Sequence, residues 1–294
     1  MRILITGSSG FVGRSVLKKV ESNLDKKNVT LLSSHVNSLY STCVYHKDMN
    51  GYHWDLPNDF DVLVHIGAWT PKSSNESQDF SCSFDNILFT KTLLQSLPNV
   101  KRIVFISTLD VYAPTNDVIS EKSLVSPISL YGFSKLYCEE MVKAWSEQNH
   151  MDCCILRLGH IYGIGEEAYR KVIPVLIKQA LKNETINITT SGEELRSFLN
   201  IEDCANIICQ ATLGSMCGLY NVVSSKAVSV KEIAFMIKKL SSSMSEIVIH
   251  NRNIATRDCV FDNSHLRDAF QLEDEIDLAR GLKGEIDYFK TILQ

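Results

Sequence analysis

Short apolar runs alternate with amphipathic segments through the first half of the chain. The runs are typical of strands buried on both faces, and they occupy residues 2–6, 29–32, 62–66, 102–107 and 153–158. Apolar residues at helical spacing occupy 11–24, 84–97 and 131–148. This alternation predicts an α/β fold with a doubly wound parallel sheet and right-handed crossovers.

The second half of the chain has a different pattern. Helices are predicted at 174–181 and 229–240, and turns rich in glycine and serine and short strands separate them. This pattern predicts a smaller C-terminal lobe at the carboxyl edge of the sheet, where doubly wound folds bind ligands. We expect the large domain to comprise residues 1–163 and about 199–224, and the lobe to comprise 164–198 and 225–294.

Composition and charge narrow the class of protein. Apolar residues make up 45% of the 294 residues, which is enough for a sizeable core, and the net charge of −4 argues against a nucleic-acid partner. The sequence opens on MRILIT with no secretory pattern, and no apolar run is long enough to span a membrane. The nine cysteines show no metal-like spacing, so we expect reduced thiols, no metal site and a cytoplasmic location.

A glycine-rich turn follows the first predicted strand and opens the first predicted helix. It reads Gly7-Ser8-Ser9-Gly10-Phe11-Val12-Gly13. Its first glycine permits a tight turn, the second allows close approach to a pyrophosphate, and the third allows close helix packing. The helix N-terminus adds free N–H groups that favour an anion. The turn predicts a dinucleotide site with contacts from Gly7, Ser9, Gly10, Phe11 and Val12.

The end of the second strand bears on the choice of cofactor. An NAD site commonly has an acidic residue there, which binds the ribose 2′-hydroxyl. Residues 31–35 read Leu-Leu-Ser-Ser-His, with no carboxylate to repel a 2′-phosphate. We therefore favour NADP(H), with NAD(H) possible, and place Ser33 at the cofactor. Arg14 and His35 are candidate phosphate ligands.

A tyrosine and a lysine lie four residues apart in Tyr131-Gly-Phe-Ser-Lys135. This spacing puts both side chains on one face of a helix, where the ammonium is expected to lower the pKa of the phenol. Such a phenol can exchange a proton with a substrate oxygen while a nicotinamide transfers hydride. Thr108 follows the strand predicted at 102–107, and its hydroxyl is a candidate partner for the same oxygen.

These motifs together resemble the extended short-chain dehydrogenase/reductases, in particular the NAD-dependent epimerase/dehydratase family of nucleotide-sugar enzymes. The resemblance covers nearly the whole chain. Its segments are T-G-S-S-G-F-V-G (6–13), D-V-L-V-H-I-G-A (61–68), F-I-S-T-L-D-V-Y (105–112), L-R-L-G-H-I-Y-G-I-G (156–165) and G-E-E-L-R-S-F-L-N-I-E-D (192–203). It implies a Rossmann-like domain, a substrate-binding lobe and a homodimer formed through a helical face.

The resemblance also implies roles for individual residues. Catalysis falls to Thr108, Tyr131 and Lys135, and further cofactor contacts fall to Asp55, Leu56 and Ala68. Contacts to a nucleoside-diphosphate sugar fall to Thr108, Asp110, Arg196 and Arg257, because a guanidinium can bind a diphosphate through two parallel hydrogen bonds. Asn86 matches a family asparagine. His160 replaces another and is not assigned to catalysis.

Departures from the family pattern narrow the reaction. Dehydratases carry Asp-Glu after the catalytic threonine, whereas this chain has Leu109-Asp110, which disfavours 4,6-dehydration. The chain lacks a carboxylate after the second predicted strand, is short, and has a reduced helix near residues 53–57. These features favour an NADPH-dependent reductase of a 4-keto-(6-deoxy) sugar. Activated sugars of this kind supply surface polysaccharides. The alternative is a 4-epimerase with tightly bound NAD. A non-catalytic nucleotide-binding module is disfavoured by the intact Thr108, Tyr131 and Lys135.

Other polar residues are expected to have structural roles. We expect His65 and Asp203 to support the fold. Glu166 and Glu167 are adjacent in a turn, so we expect both carboxylates to be solvated.

Overall fold

The computed structural model describes residues 1–250, 256–272 and 274–293. Its strands are β1 (Ile3–Thr6), β2 (Val29–Ser33), β3 (Ser41–Val44), β4 (His46–Asp48), β5 (Gly51–His53), β6 (Val62–His65), β7 (Arg102–Thr108), β8 (Asp152–Leu158), β9 (His160–Tyr162), β10 (Ile186–Ile188), β11 (Leu195–Asn200), β12 (Gly218–Val222), β13 (Ala227–Ser229) and β14 (Ile247–Ile249). Its α-helices are α1 (Phe11–Glu21), α2 (Phe80–Gln95), α3 (Leu130–Gln148), α4 (Val172–Leu181), α5 (Ile201–Leu213), α6 (Val230–Ser241), α7 (Ser264–Phe270) and α8 (Leu278–Ile292). Within these ranges, no helix combines the length and the apolar character needed to cross a bilayer.

Seven strands form the central sheet, in the order β12-β8-β7-β6-β1-β2-β3. Every neighbouring pair in it is parallel. On β1, Ile3 and Ile5 belong to the core that includes α1 and α5, and Leu4 belongs to the core that includes α2 and α3. Helices therefore cover both faces, and the predicted Rossmann-like doubly wound sheet is confirmed.

The predicted helices and strands of the sheet all form, within a few residues of their expected ends. The main difference is at α2, which begins at Phe80 because the Asp79 side chain accepts the N–H of Cys82 at 2.8 Å and caps the helix there. Between β3 and β6 the chain forms the antiparallel hairpin β4–β5 instead of a helix. In the described structure, residues 54–61 form no helix, in agreement with the reduced helix predicted near residues 53–57.

The second lobe has its own core. Helices α4, α6 and α8 contribute Ile177, Ile237 and Phe289 to it, and all three side chains are fully buried. A small sheet in the order β13-β11-β9 links this lobe to the large domain. Helix α7, which falls within 225–294, packs Leu266 and Phe270 on the core of the large sheet. The proposed division into two domains stays a prediction.

Candidate functional site

A cavity of about 710 Å³ lies at the carboxyl edge of the central sheet. Its wall contains most of the residues singled out from the sequence, namely Gly7, Ser9, Gly10, Phe11, Val12, Ser33, Ala68, Asn86, Thr108, Asp110, Tyr131, Lys135, His160 and Arg257. Asp55, Leu56 and Arg196 are not in its wall. The cavity therefore brings together the two sequence motifs that point to redox chemistry.

The glycine-rich turn is built for a closely approaching ligand. Gly7 has a φ of +71°, which favours glycine, and a Cβ on Gly13 would overlap the Gly7 carbonyl. Gly10 is the N-cap of α1, and no side chain caps that helix end. The first N–H groups of α1 are consequently free for an anion. These residues fit the pyrophosphate of a dinucleotide.

A buried chain of hydrogen bonds fixes the strands beneath this turn. Thr90 donates its hydroxyl to the Asn86 carbonyl at 2.7 Å, so its oxygen accepts from His65 Nε2 at 3.0 Å. The other ring nitrogen, Nδ1, then accepts the Thr6 hydroxyl at 2.9 Å, and the Thr6 oxygen accepts the N–H of Gly67 at 2.8 Å. Burial lowers the pKa of His65 to about 3, so the ring is neutral. His65 supports the fold.

Asn86 fixes the segment after β6. Its Oδ1 accepts the N–H of Trp69 at 2.7 Å, and its Nδ2 donates to the Trp69 carbonyl at 3.0 Å. The same Nδ2 lies 3.4 Å from the hydroxyl oxygen of Ser134 on α3. The side chain thus holds one wall of the cavity against the helix that carries Tyr131.

The three candidate catalytic residues converge from β7 and α3. Thr108 ends β7, and its Oγ1 accepts the N–H of Asp110 at 3.2 Å. Tyr131 lies in the first turn of α3, which Ser129 caps by accepting the N–H of Gly132 at 3.0 Å. The hydroxyls of Thr70 and Thr108 are both hydrogen-bonding neighbours of the Tyr131 hydroxyl, and all three residues line the cavity. Thr108 and Tyr131 therefore lie side by side in its wall.

The electrostatics of Tyr131 differ from the sequence prediction. Burial and the nearby charge of Asp110 raise the pKa of Tyr131. Lys135 is buried, and its Nζ lies 4.3 Å from the centre of the Phe105 ring, while burial lowers the pKa of Lys135 to about 8. The prediction that Lys135 lowers the pKa of Tyr131 is wrong for this arrangement, because desolvation dominates.

A buried ionic network supports the same elements. Arg157 on β8 donates from Nε and Nη2 to the two oxygens of Glu139 on α3, at 2.9 and 2.6 Å. Ser107, next to Thr108, donates to Glu139 at 2.5 Å. The guanidinium also lies 4.7 Å from the centre of the Tyr112 ring. This network ties β7, β8 and α3 together behind the catalytic residues.

The end of the cavity nearest the second lobe carries positive charge. Arg257 and Lys171 line it, and both stabilise the anionic form of Asp110, although burial raises the pKa of Asp110 overall. Lys171 immediately precedes α4 and was not singled out from the sequence, where a lone lysine before a helix carries no motif. Arg257 and Lys171 could bind an anionic group such as a diphosphate.

Arg196, a predicted substrate residue, turns along the backbone, and its Nη1 donates to the carbonyls of Leu195 and Arg257 at 2.7 and 2.6 Å. His160, which was not assigned to catalysis, lines the cavity beside Phe198, with ring centres 5.6 Å apart. Its buried Nδ1 has no hydrogen-bond partner among the residues that the structure describes. Burial lowers the pKa of His160 to about 4, so the ring is neutral. The geometry supports Arg257 as a substrate residue more than Arg196.

Asp55 and Leu56, which were predicted to contact the cofactor, lie outside the cavity wall. Asp55 is exposed, and its carbonyl accepts the thiol of Cys43 at 2.8 Å, while Leu56 packs against the core. The β4–β5 hairpin places Tyr52 in the cavity wall instead, with its ring 4.9 Å from that of Phe89. The β4–β5 hairpin thus brings Tyr52 into the cavity wall, whereas Asp55 and Leu56 stay outside it.

The candidate 2′-phosphate ligands also lie outside the cavity wall. Arg14 donates from Nη2 to the Gly165 carbonyl at 3.0 Å, and His35 Nδ1 lies 2.9 Å from the hydroxyl oxygen of Ser34. Among the described residues lining the cavity near Ser33, none is a lysine or an arginine. The structure gives neither candidate a role in phosphate binding.

Two acidic predictions have different outcomes. Asp203 accepts the N–H of Ile276 at 2.9 Å, which is a structural contact. The expectation that Glu166 is solvated is wrong, because it is 1% exposed beneath its loop. Its neighbour Glu167 is half-buried and accepts the hydroxyl of Tyr288 at 3.0 Å. Sequence adjacency gave no sign of these contacts.

The chain is similar to several known proteins. The chain is 26% identical over 276 residues to dTDP-D-glucose 4,6-dehydratase of Dictyostelium discoideum, covering 82% of this chain and 62% of that protein. It is 25% identical over 309 residues to a putative UDP-glucose 4-epimerase of Methanocaldococcus jannaschii, covering 98% of each. The structure of UDP-glucuronic acid 4-epimerase from Bacillus cereus in complex with NAD matches with a TM-score of 0.84 and 25% identity, over 99% of this chain and 97% of that one.

The family is settled by a model that matches residues 3–215, well over half of the chain. That model describes the NAD dependent epimerase/dehydratase family. The resemblance drawn from the sequence motifs is confirmed. The chain therefore belongs to the NAD-dependent epimerase/dehydratase family.

Proposed function

We propose that this enzyme is an NAD-dependent 4-epimerase of a nucleoside-diphosphate sugar. The observation that carries the proposal is the convergence of Thr108, Tyr131 and Lys135 with the glycine-rich turn in one cavity. Relatives whose names describe 4-epimerases match the chain over nearly its whole length. Leu109 follows Thr108 and can neither donate nor accept a proton, which disfavours dehydration.

The chain's own residues divide the work as follows. The free N–H groups at the start of α1 would hold the cofactor pyrophosphate, and Lys135 would bind the nicotinamide ribose. A bound NAD would supply reversible hydride transfer at the sugar carbon. Tyr131 exchanges the proton of the C4 oxygen and Thr108 orients that oxygen. Arg257 and Lys171 bind the diphosphate and so hold the sugar near Tyr131.

The electrostatics suit proton donation at neutral pH. Because the pKa of Tyr131 is raised, its hydroxyl keeps its proton until a substrate oxygen gains charge. With a pKa of about 8, Lys135 is mostly protonated at pH 7 and supplies a positive charge in a buried site. These groups therefore favour the step in which a keto sugar is reduced.

The choice of NAD rests on the adenosine end of the cavity. The sequence favoured NADP(H) because residues 31–35 contain no carboxylate, with Arg14 and His35 as phosphate ligands. Since neither residue is in the cavity wall, a 2′-phosphate would lack a cationic partner there. A 4-epimerase also needs a cofactor that stays bound between its two half-reactions.

A reductase of a nucleoside-diphosphate 4-keto-(6-deoxy) sugar is the second candidate. At the end of β2 the cavity is lined by Leu32, Ser33 and Ser34, which are uncharged and would not repel the 2′-phosphate of NADPH. A reductase would use Tyr131 as the same proton donor but would exchange its cofactor after each turnover.

One experiment separates the two functions. The purified enzyme is analysed for bound nicotinamide and incubated with UDP- and dTDP-linked sugars, and NMR follows inversion at C4. Bound NAD and inversion without added cofactor support the epimerase. Consumption of NADPH only with 4-keto sugars, without inversion, would replace it by the reductase. Inertness in both assays would contradict both.

We also propose that the enzyme forms a homodimer through α2 and α3. Four aromatic side chains on these helices are 52–72% exposed, namely Phe80, Phe84, Phe133 and Tyr137. Exposed aromatic groups in such numbers on one pair of helices favour burial against another chain. Sedimentation velocity tests this, and a dimer that dissociates in Phe84→Asp is the expected result, whereas a monomeric wild type would contradict it.

A cytoplasmic location is part of the same proposal. All nine cysteines are free thiols in the structure, which suits a reducing compartment.

A further inference from the structure

Glu166 and Glu285 form an acid pair in the interior, outside the residues assigned to catalysis. Glu166 lies in the loop between β9 and α4 and is 1% exposed, and Glu285 on α8 is 0% exposed. The two carboxyl groups are hydrogen-bonding neighbours. Among the described residues, no N–H or O–H group donates to either buried oxygen of Glu285, so the Glu166 carboxyl is the polar group that it faces. Each acid thus faces the other across the boundary between a loop and a helix.

Two bare carboxylates in contact in a dry interior would repel each other, so the pair has to hold a proton. Burial and the mutual interaction raise the pKa of Glu285, and burial raises that of Glu166. Glu166 also accepts the N–H of Gly163 at 3.2 Å, and the charge of Lys171 favours its anionic form. The proton therefore resides mainly on Glu285, which donates it to Glu166.

Few other charges can compensate the pair. The titratable and charged groups that face it or its loop are Tyr162 of β9, Glu167, Tyr169 and Lys171 of the loop, Arg14 of α1, Lys178 of α4 and Tyr288 of α8. Of the three cations, Lys171 favours the anionic form of Glu166 through its charge, whereas Arg14 lies 4.0 Å from the Glu167 carboxylate and Lys178 Nζ donates to the Glu167 carbonyl at 2.9 Å. A second negative charge on the pair would therefore be largely uncompensated.

The loop that carries Glu166 also forms part of the cavity wall. Residues Tyr169 and Lys171 line the cavity, a few positions beyond Glu166. Besides the acid pair, the loop is held by Arg14 at the Gly165 carbonyl and by Lys178 and Tyr288 at Glu167. Tyr288 and the acid pair both attach this loop to α8, and the acid pair is the more deeply buried attachment, so its state affects where Lys171 lies.

We propose that Glu166 and Glu285 are positioning residues that share one proton and thereby hold Lys171 against the diphosphate of the substrate. Loss of the proton to solvent leaves two repelling carboxylates, frees residues 163–171 and weakens binding of the nucleotide. The identity of the ligand as a nucleoside diphosphate rests on the proposed function. The role of the acid pair in holding the loop is independent of it.

The test compares the wild type with Glu285→Gln, whose amide can still donate to Glu166 but cannot titrate. Calorimetry measures the Kd of UDP, and then of dTDP, between pH 7 and 11, a range that contains the pKa of Glu285, which burial raises to about 10. We expect the wild-type Kd to rise about tenfold more than that of Glu285→Gln, the effect of losing one charge-assisted contact. Titration of Lys171 occurs in both proteins and cancels in this difference. Glu147→Gln, at an exposed carboxylate on α3, should follow the wild type. Equal pH dependence in wild type and Glu285→Gln would overturn the inference.

Hydrogen exchange tests the pair without any ligand. After correction for the intrinsic rate, protection of the amides of 163–171 should fall with rising pH about tenfold more in the wild type than in Glu285→Gln. Identical protection in both proteins would overturn the inference even if UDP binds. If UDP and dTDP bind at no pH, the proposed function fails, and exchange alone decides the role of the pair. Glu166→Gln, with the same expected results, serves if Glu285→Gln does not fold.

Discussion

Removing the guanidinium of Arg157 is predicted to destabilise the fold severely. Arg157 is 2% exposed and Glu139 is 0% exposed, and they form two hydrogen bonds of 2.9 and 2.6 Å. Arg157→Met keeps most of the apolar stem but leaves Glu139 as a buried charge whose remaining partner is the Ser107 hydroxyl. Breaking a buried ion pair in this way costs about 3–5 kcal/mol. The total stability of a domain is only roughly 5–15 kcal/mol, so the variant should be marginal.

Urea unfolding, followed by circular dichroism, measures this cost in a double-mutant cycle. Glu139→Leu combined with Arg157→Met removes both charges and should recover about 2 kcal/mol or more relative to the sum of the single changes. Lys143→Met on the same helix is the matched control, because its ion pair with Glu140 at 2.7 Å is exposed and should contribute less than about 1 kcal/mol. Additive single changes, or a loss below about 1 kcal/mol for Arg157→Met, would refute the reasoning.

Three further predictions concern pH and packing. The pKa of Lys135 is about 8, so kcat/KM should fall as pH rises through 8. Lys135→Arg should remove that decline from the pH–rate profile, because the guanidinium stays charged at this pH. A profile that is the same in both proteins would contradict a role for the ammonium. Burial lowers the pKa of His65 from 6.5 to about 3, so its contribution to the free energy of unfolding is complete above pH 6.5 and falls by about 1.4 kcal/mol per pH unit as pH decreases towards 3. The free energy of unfolding, measured with urea at each pH, should therefore decrease more steeply between pH 6.5 and 3 in the wild type than in His65→Gln. Equal pH dependence in the two proteins would contradict the assignment of a neutral buried ring. Gly13→Ala should abolish cofactor binding in calorimetry, because the added Cβ would overlap the Gly7 carbonyl. In the control variant Gly284→Ala, on α8, the added Cβ meets no atom within 4 Å, so the cofactor should bind normally. Equal binding by both variants would contradict a cofactor site at the glycine-rich turn.

The sequence located the inner strands of the sheet because a strand buried on both faces is a continuous apolar run. Edge strands lack this signature. β3 (Ser41–Val44) contains no fully buried residue, and the apolar pattern did not identify it. The helices were found because their buried faces repeat at helical spacing, but the start of α2 depends on the Asp79 cap and was placed too late.

The same distinction separates the parts of the site. The glycine-rich turn and the spacing of Tyr131 and Lys135 are local patterns, so the sequence identified them. Lys171 and Tyr52 reach the cavity through tertiary packing and carry no local signal. Resemblance placed Asp55 at the cofactor, but the β4–β5 hairpin occupies that end of the cavity.

The pKa of Tyr131 shows a further limit of reasoning from spacing. Four residues on a helix put Lys135 on the same face, which predicts a lowered pKa. Burial at the base of the cavity outweighs that effect, and burial depends on the whole fold. The sequence therefore predicted that Tyr131 and Lys135 share one face of a helix at the cavity but not the direction of the Tyr131 pKa shift.

The central claim is that Tyr131 transfers the proton at C4 of a nucleotide sugar. The most direct measurement is turnover of wild type and Tyr131→Phe on the same UDP- or dTDP-sugar, with bound nicotinamide shown to be equal in both. We expect kcat to fall about a hundredfold or more in the variant, which is the effect of losing a general acid. Turnover near the wild-type level in Tyr131→Phe, with cofactor bound, would contradict it.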